Sequence, residues 1–421
     1  MMHRLHTWIG KMHLLTRITL ADQALVSGCN FLQGILIVRL AGLETYGAFA
    51  LAWMGVLLGS SLQQAAILSP MMTLSGKETP EKRAVYFAAT EKLNLLFVLG
   101  AGMLAAVLAI PGLYFDSKDT ALLFPALPAA MMSFLLQEYV RRRLFMEQKA
   151  AMAFISDLIA YPGMLLGIGL LSYAGLLNAG SVLGAVALSF AAGSLVARPQ
   201  RPKVKSDMWE VLKKHWHFSR WLMGQSLLQF FAGNYFLLAA GALLGNATLG
   251  ALRAVQNLMG LTHILFLSME NIVPLRAAQA YAKDGPGGMK SYLFALGKRS
   301  GLVVGLILAG IALGAPWLLQ ISYGAEYQPY AYLLMLYCLL YVLVFPGYFL
   351  RYALRTLEYT GPIFTAYVWS TAFSLLCAHT IVSAWGAPGV VAGLAAAQVI
   401  MQGTYLILLY KRLRPDPFSS H

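Results

Sequence analysis

Apolar runs of about twenty residues, divided by short polar breaks, recur along the whole chain. They fall near 18–40, 46–69, 90–112, 120–140, 151–171, 178–197, 219–243, 248–270, 299–320, 327–350, 361–383 and 388–410. A helix of about 20 residues rises far enough to cross a ~30 Å hydrocarbon core. Backbone exposed to lipid must satisfy itself internally, so runs of this length predict helices. The expected fold is therefore an all-α integral membrane protein with twelve transmembrane helices. The outer breaks, near 41–45, 113–119, 172–177, 244–247, 321–326 and 384–387, are too short to build an external domain.

The longest polar stretch is "ARPQRPKVKSDMWEVLKKHWHFSRW", Ala197 to Trp221. It opens as a Pro-rich linker. It then becomes a basic amphipathic helix, with Trp209, Leu212 and Trp216 on one side and Lys213 and Lys214 on another. A helix of this type lies at headgroup level. This divides the chain into a lead-in at 1–17, an N-lobe at 18–197, a basic linker at 198–218, a C-lobe at 219–410 and a tail at 411–421.

Composition agrees with the pattern: 59% of the 421 residues are hydrophobic and 11% charged, against roughly 45–50% and 25% in soluble domains. The net charge of +14 would suggest a nucleic-acid partner if it were spread over a soluble surface. Of the 31 Lys and Arg, however, all but Arg39, Lys118 and Arg253 fall on the side that holds the amino terminus. That is the positive-inside bias; it predicts both termini in the cytoplasm and no nucleic-acid binding. Cys29, Cys338 and Cys377 have no pairing or metal-ligand spacing and read as packing residues. The 1–17 segment lacks an uninterrupted apolar core and a small-residue cleavage site, so it reads as a cytoplasmic amphipathic lead-in.

The two halves resemble one another. "GLETYGAFALA" from Gly42 can be laid over "GNATLGALRAV" from Gly245, matching Gly42 with Gly245, Thr45 with Thr248, Gly47 with Gly250 and Ala48 with Ala251. Pro70 and Pro274, and Pro125 and Pro329, then occupy corresponding places. This favours an internal duplication, two six-helix lobes related by a parallel pseudo-two-fold repeat. In such repeats the binding site is expected between the lobes near mid-depth.

A helix in lipid needs no polar face, so polar stripes at helical spacing are informative. One runs through Gln23, Ser27, Asn30 and Gly34, a second through Trp53, Ser60 and Gln64. A third joins Ser226, Gln229 and Gly233, with Gln225 and Asn234 beside them, and a fourth joins Arg253, Asn257, Gly260 and His263. For each residue alone, close helix packing explains a small or amide side chain. Four stripes on matched helices point instead to a hydrated cavity with Arg253, Arg39, Gln23, Asn30, Gln229, Asn234, Asn257 and His263 as substrate-binding candidates. Arg253, two turns into its helix, either holds a phosphate in bidentate fashion or snorkels to the outer interface. Arg39 is either an interface anchor or the cavity rim, and Gly42 and Gly47 are expected to form a tight outer turn. Asp157, and after it Asp22, are candidates for proton or cation coupling; the alternative for Asp157 is a pair with a nearby basic group. Glu138 is spaced to pair with Arg141 or Arg142.

The sequence contains no phosphate-binding loop, no GxSxG elbow and no His or Cys cluster for zinc. Neither catalytic residues nor a cofactor or metal is expected, and energy must come from an ion, potential or substrate gradient. The stretches "FLQGILIVRLAGLETYGAFALAW", "ILSPMM" and "QEYVRRRLFMEQKAAMAFISDLIAYPG" resemble the bacterial polysaccharide (O-antigen, Wzx-type) flippases of the multidrug/oligosaccharidyl-lipid/polysaccharide (MOP) exporter superfamily. The resemblance implies a MATE-like fold in the bacterial inner membrane. It also implies alternating access that carries an undecaprenyl-pyrophosphate-linked oligosaccharide outward, with H+ or Na+ as coupling ion and contacts to other polysaccharide assembly proteins. A MATE-type multidrug exporter is the alternative, with a polysaccharide polymerase or ligase a further one.

Overall fold

The computed structural model describes residues 2–76, 78–110, 118–199 and 206–413. The side chains of the 1–17 lead-in, part of the linker, most of the connection at 113–119 and the end of the tail lie outside the described residues. The elements in chain order are α1 (Met2–Gln63), a π-helical turn (Gln64–Leu68), α2 (Ser69–Ser75), α3 (Pro80–Ala109), α4 (Lys118–Met146), α5 (Ala150–Tyr173) and α6 (Ala179–Val196). These are followed by α7 (Met208–Leu244), α8 (Asn246–Leu313), α9 (Ala315–Tyr323), a 3₁₀ turn (Ala325–Tyr330), α10 (Ala331–Thr356) and α11 (Gly361–Leu413). Among the described residues there is no strand.

Where twelve separate spans were expected, the described residues form eleven α-helices, and eight helical stretches are long and apolar enough to cross a membrane. The difference arises because several expected loops contract to one or two kinked residues. α1 turns at Gly42 (φ 82°, ψ 174°), α8 at Asp284 and Gly285 (φ 64°), and α11 at Gly386 (φ 60°). Glycine adopts positive φ without a Cβ clash, so the helix can restart at once. Gly47, expected to share the first turn, is helical and buried.

The helices form two compact units that divide between Leu227 and Leu228. Three positive-φ positions described in the first half have counterparts in the second: Gly42 and Gly245 (φ 86°, ψ 171°), Gln148 and Glu358 (φ 59° and 54°), Gly175 and Gly386 (φ 68° and 60°). The Gly42–Gly245 match read from the sequence is therefore also a match of backbone geometry.

In the first unit α6 is the buried centre. Asn178 and Ser181 begin it with reciprocal side-chain-to-backbone hydrogen bonds, both 2.9 Å, which satisfy two otherwise orphaned donors. Phe190 packs edge-on to Tyr161 at 4.9 Å and against Phe134 at 5.4 Å. Further along, Gly193 lets α5 approach so closely that Ser156 Oγ donates to its carbonyl at 3.0 Å. A Cβ at Gly193 would lie 2.6 Å from the Ser156 carbonyl oxygen. Outward-facing apolar side chains such as Leu188 and Leu376 stay largely exposed, the surface that lipid covers.

Pro70 shapes the end of the second apolar run. It has no N–H to offer the Ala66 carbonyl four residues earlier, and the helix passes through the π-turn just before it. The Ala66 carbonyl instead accepts from His215 Nδ1 at 3.2 Å and from Ser219 Oγ at 3.4 Å, both on α7. With Nδ1 donating, His215 Nε2 accepts from the Tyr86 hydroxyl at 2.6 Å. α7 is thus fixed to the end of this run on its His215 side, while Trp209 and Trp216 stay exposed on the other.

In the second unit α10 packs against α8 and α11. Tyr352 and Ala353 face α8, whereas Leu354 faces Ile363, Ala366 and Tyr405 of α11.

Gly193→Ala should lower the thermal midpoint of the purified protein by an amount equivalent to about 1–3 kcal/mol of overpacking. Gly184→Ala, on the same helix with open space around its Cβ position, should leave the midpoint unchanged or raised by about 0.4–1 kcal/mol. Equal behaviour of the two variants would show that the α5–α6 approach does not limit stability.

Candidate functional site

The first unit buries a polar cluster where α1, α4 and α5 meet. Its centre is Arg141 of α4, whose Nη2 donates to Asp22 of α1 at 2.8 Å and whose Nε lies 2.8 Å from Asp157 of α5. Gln137, one turn before Arg141, donates its amide to the other oxygen of Asp157. Both carboxylates are buried, at 1% and 0% exposure. Glu138 adds a third acid 3.6 Å from Arg141 and also reaches Arg142 at 3.9 Å, so both pairings that its spacing allowed are present. Next to the cluster a cleft of about 370 Å³ is lined by Thr19, Gln23, Met72, Arg141, Arg142 and Phe145.

The run Arg141–Arg143 is not a solvated loop charge. Arg143 is buried, stacked 3.7 Å over the Phe87 ring, and donates to Glu147 at 2.7 Å. In the turn after α4, burial works against ionisation of Glu147, yet the Lys149 hydrogen bond and the Arg143 guanidinium hold its carboxyl below the ordinary range. A second buried link ties α1 to α3 and α4: Gln63 donates to Asn94 and to the Leu135 carbonyl, both at 2.8 Å.

The second unit carries a different polar group. Arg253 of α8 donates to Asn234 Oδ1 of α7 at 3.1 Å and to Gln256 Oε1 at 3.0 Å. Asn234 donates in turn to the Phe230 carbonyl at 3.0 Å, which fixes the amide that orients the guanidinium. One turn on, Asn257 donates to the Tyr323 hydroxyl at 3.3 Å, and that hydroxyl donates to the Ala254 carbonyl at 2.9 Å. Arg253 is thus half-buried and held by amides across two helices.

Of the candidates read from the sequence, the structure joins Arg253 with Asn234, and Asp22 with Asp157. Asn257 lies one turn from Arg253, and Gln23 lines the cleft beside Arg141. Asn30 and Gln229 are exposed on α1 and α7, and Arg39 is exposed just before the Gly42 kink. The side chain of His263 lies outside the described residues. Arg141, which the spacing offers as a partner of Glu138, is also the basic group that the pairing alternative for Asp157 requires. Gln137, Gln256 and Tyr323 are not marked by the sequence pattern.

A family profile described as "Polysaccharide biosynthesis protein" matches residues 36–332. The chain belongs to that polysaccharide biosynthesis family. No curated protein sequence matches it. Among solved structures, an inward-facing multidrug resistance MATE family transporter of the MOP superfamily matches with TM-score 0.73 at 14% identity, covering 93% of this chain and 96% of that one. The lipid II flippase MurJ, in an inward closed conformation, matches with TM-score 0.73 at 13% identity over 94% and 87% of the two chains. A MOP superfamily transporter from Pyrococcus furiosus matches with TM-score 0.61 at 15% identity over 96% and 95%. At these identities the likeness establishes the fold, that of MOP-superfamily transporters and flippases.

Arg141→Met should destabilise the protein by about 3–5 kcal/mol, because it leaves two carboxylates buried without a cation. Adding Asp22→Asn and Asp157→Asn should recover most of the loss, read as thermal midpoint and yield of the detergent-purified protein. A single Arg141→Met variant as stable as wild type would show that the cluster is already hydrated and needs no clamp.

Proposed function

We propose that this protein moves a polyprenyl (undecaprenyl)-pyrophosphate-linked oligosaccharide from the inner to the outer leaflet of the bacterial inner membrane by alternating access, for surface polysaccharide synthesis. The observation that carries the reading is membership of the polysaccharide biosynthesis family by a chain with a transporter and flippase fold. In this reading both termini are cytoplasmic, and lobes at 18–197 and 219–410 move about the 198–218 linker.

A pyrophosphate inside the membrane needs a cation with directed donors. Arg253 offers a guanidinium fork oriented by Asn234 and Gln256, suited to two phosphate oxygens at once. Arg39 is the rim cation. Gln23, Asn30, Gln229, Asn234, Asn257 and His263 supply polar partners for sugar hydroxyls, while the polyprenyl tail stays in lipid.

The Arg141 cluster supports ion coupling. Two buried carboxylates face one guanidinium, so with both ionised Asp22, Asp157 and Arg141 carry one excess negative charge. Burial favours its neutralisation by a proton or a small cation such as Na+. Uptake of that ion changes the charge that holds α1, α4 and α5 together, which gives a gradient a physical handle on the first unit. A second reading, an ion-coupled multidrug exporter, is favoured by the MATE likeness and by the same two acids. Against it, both acids already face Arg141 and the family is one of polysaccharide biosynthesis.

Deletion of the gene in its host should abolish surface polymer and trap the polyprenyl-linked oligosaccharide on the cytoplasmic leaflet. Arg253→Ala should fail to restore polymer while inserting normally in the membrane. Unchanged polymer with raised sensitivity to cationic drugs would favour the exporter. Asp157→Asn should alter the dependence of transport on a proton or sodium gradient, and an unchanged dependence would return Asp157 to a structural role.

A further inference from the structure

The two halves can be put in register at the helix ends that follow α4 and α10. Gln148 and Glu358 are the only non-glycine residues with positive φ among the described residues, and each stands two residues past its helix. A non-glycine residue there is uncommon enough to fix a register. Counting back equally from both places Arg351 on Arg141, Leu354 on the equally buried Leu144, and Tyr348 on Glu138. Counting forward places Tyr367 on Asp157. The separate register of the Gly42 and Gly245 kinks puts Gln225 where Asp22 stands.

The arginine therefore recurs in both halves, and its counter-charges do not. In the first unit three acids surround Arg141. In the second unit the corresponding positions are Tyr348 and Tyr367, neither of which is a carboxylate, and the sequence counterpart of Asp22 is the uncharged Gln225. Among the described residues no carboxylate lies within ion-pair distance of Arg351. Glu270 is bound to Arg355 at 2.9 Å. Arg351 lies over the Tyr348 ring, 4.4 Å from its centre, and its neighbours on α10, Leu350 and Leu354, pack in the cluster that holds Tyr367 and Tyr405. Tyr405 is 1% exposed and its hydroxyl has no hydrogen-bond partner among the described residues.

A half-buried guanidinium that faces no carboxylate, on a helix face that packs with a buried tyrosine, is a set of donors suited to an oxyanion. The aromatic ring holds the fork without neutralising it. Arginine presents its donors in a plane that matches two phosphate oxygens. We propose that Arg351, with Tyr348, Tyr367 and Tyr405, forms an anion site in the second unit that takes a phosphate ester group. A polyprenyl phosphate or the headgroup of an anionic phospholipid would supply that chemistry. The site is separate from Arg253, so it stands whether or not Arg253 carries the transported substrate.

The test uses the full-length protein in nanodiscs of phosphatidylcholine, titrated separately with phosphatidylglycerol and with undecaprenyl phosphate, with bound lipid counted by native mass spectrometry. Wild type should bind at least one of them, and Arg351→Gln should weaken that binding about tenfold or more, as expected for loss of charge-assisted hydrogen bonds. Tyr405→Phe should weaken it by a smaller factor. Tyr367→Asp, which places the carboxylate of the first half beside Arg351, should abolish it while the protein stays folded. Loss confined to phosphatidylglycerol identifies a phospholipid site, and loss confined to undecaprenyl phosphate identifies a site for the carrier lipid. Binding of both lipids that is unchanged in Arg351→Gln and Tyr367→Asp would overturn the proposal, as would no binding of either by wild type. Should Arg351→Gln not fold, Tyr367→Asp and Tyr405→Phe decide the matter. Arg253→Ala, measured alongside, separates this result from the transport reading: lipid binding retained with transport lost supports both, and lipid binding lost only with Arg351 variants is independent of flipping.

Discussion

Hydrocarbon offers no hydrogen bonds, and this single property of the solvent governs the chain. Each backbone group and each charge that leaves water must find its partner within the protein. Helices answer the demand for the backbone. Where Pro70 breaks that answer, the orphaned Ala66 carbonyl is taken up by His215 and Ser219, so a local defect becomes the attachment point for α7. Where acids enter the bundle, Arg141 meets two of them at once. The same rule that shapes a helix end therefore also gathers the ionisable residues.

Duplication supplied the scaffold, and divergence supplied its electrostatics. The halves share their left-handed backbone positions down to the non-glycine pair Gln148 and Glu358. They differ in what surrounds the recurrent arginine: acids in the first, tyrosines in the second. The first half thus holds one guanidinium among three acids. In the second, Arg253 is held by amides and Arg351 lies over the Tyr348 ring. One framework can in this way surround a recurrent arginine with acids in one half and with none in the other.

Hydropathy, spacing and charge bias suffice for the all-helical membrane class, for the duplication anchored at Gly42 and Gly245, and for Asp22, Asp157, Asn234 and Arg253 as polar residues out of place in lipid. These are legible because each is a local cost: an apolar run too long for a soluble core, or a charge too far from water. The pairing of those residues is not local. Arg141 and Asp22 are far apart in sequence, and only the packing of α1, α4 and α5 brings them within 2.8 Å. Read along the chain, Arg141 looks like one more inner-side cation, and Gln256 and Tyr323 look like ordinary helix residues. Tertiary structure also decided that expected loops shrink to single kinks, because positive φ at glycine reverses the chain without a loop, and hydropathy averages cannot register one residue's backbone angle. The sequence by itself thus determined which solvent the protein lives in and which residues that solvent penalises; the fold decided which partners relieve the penalty, since relief depends on distances that no periodicity encodes.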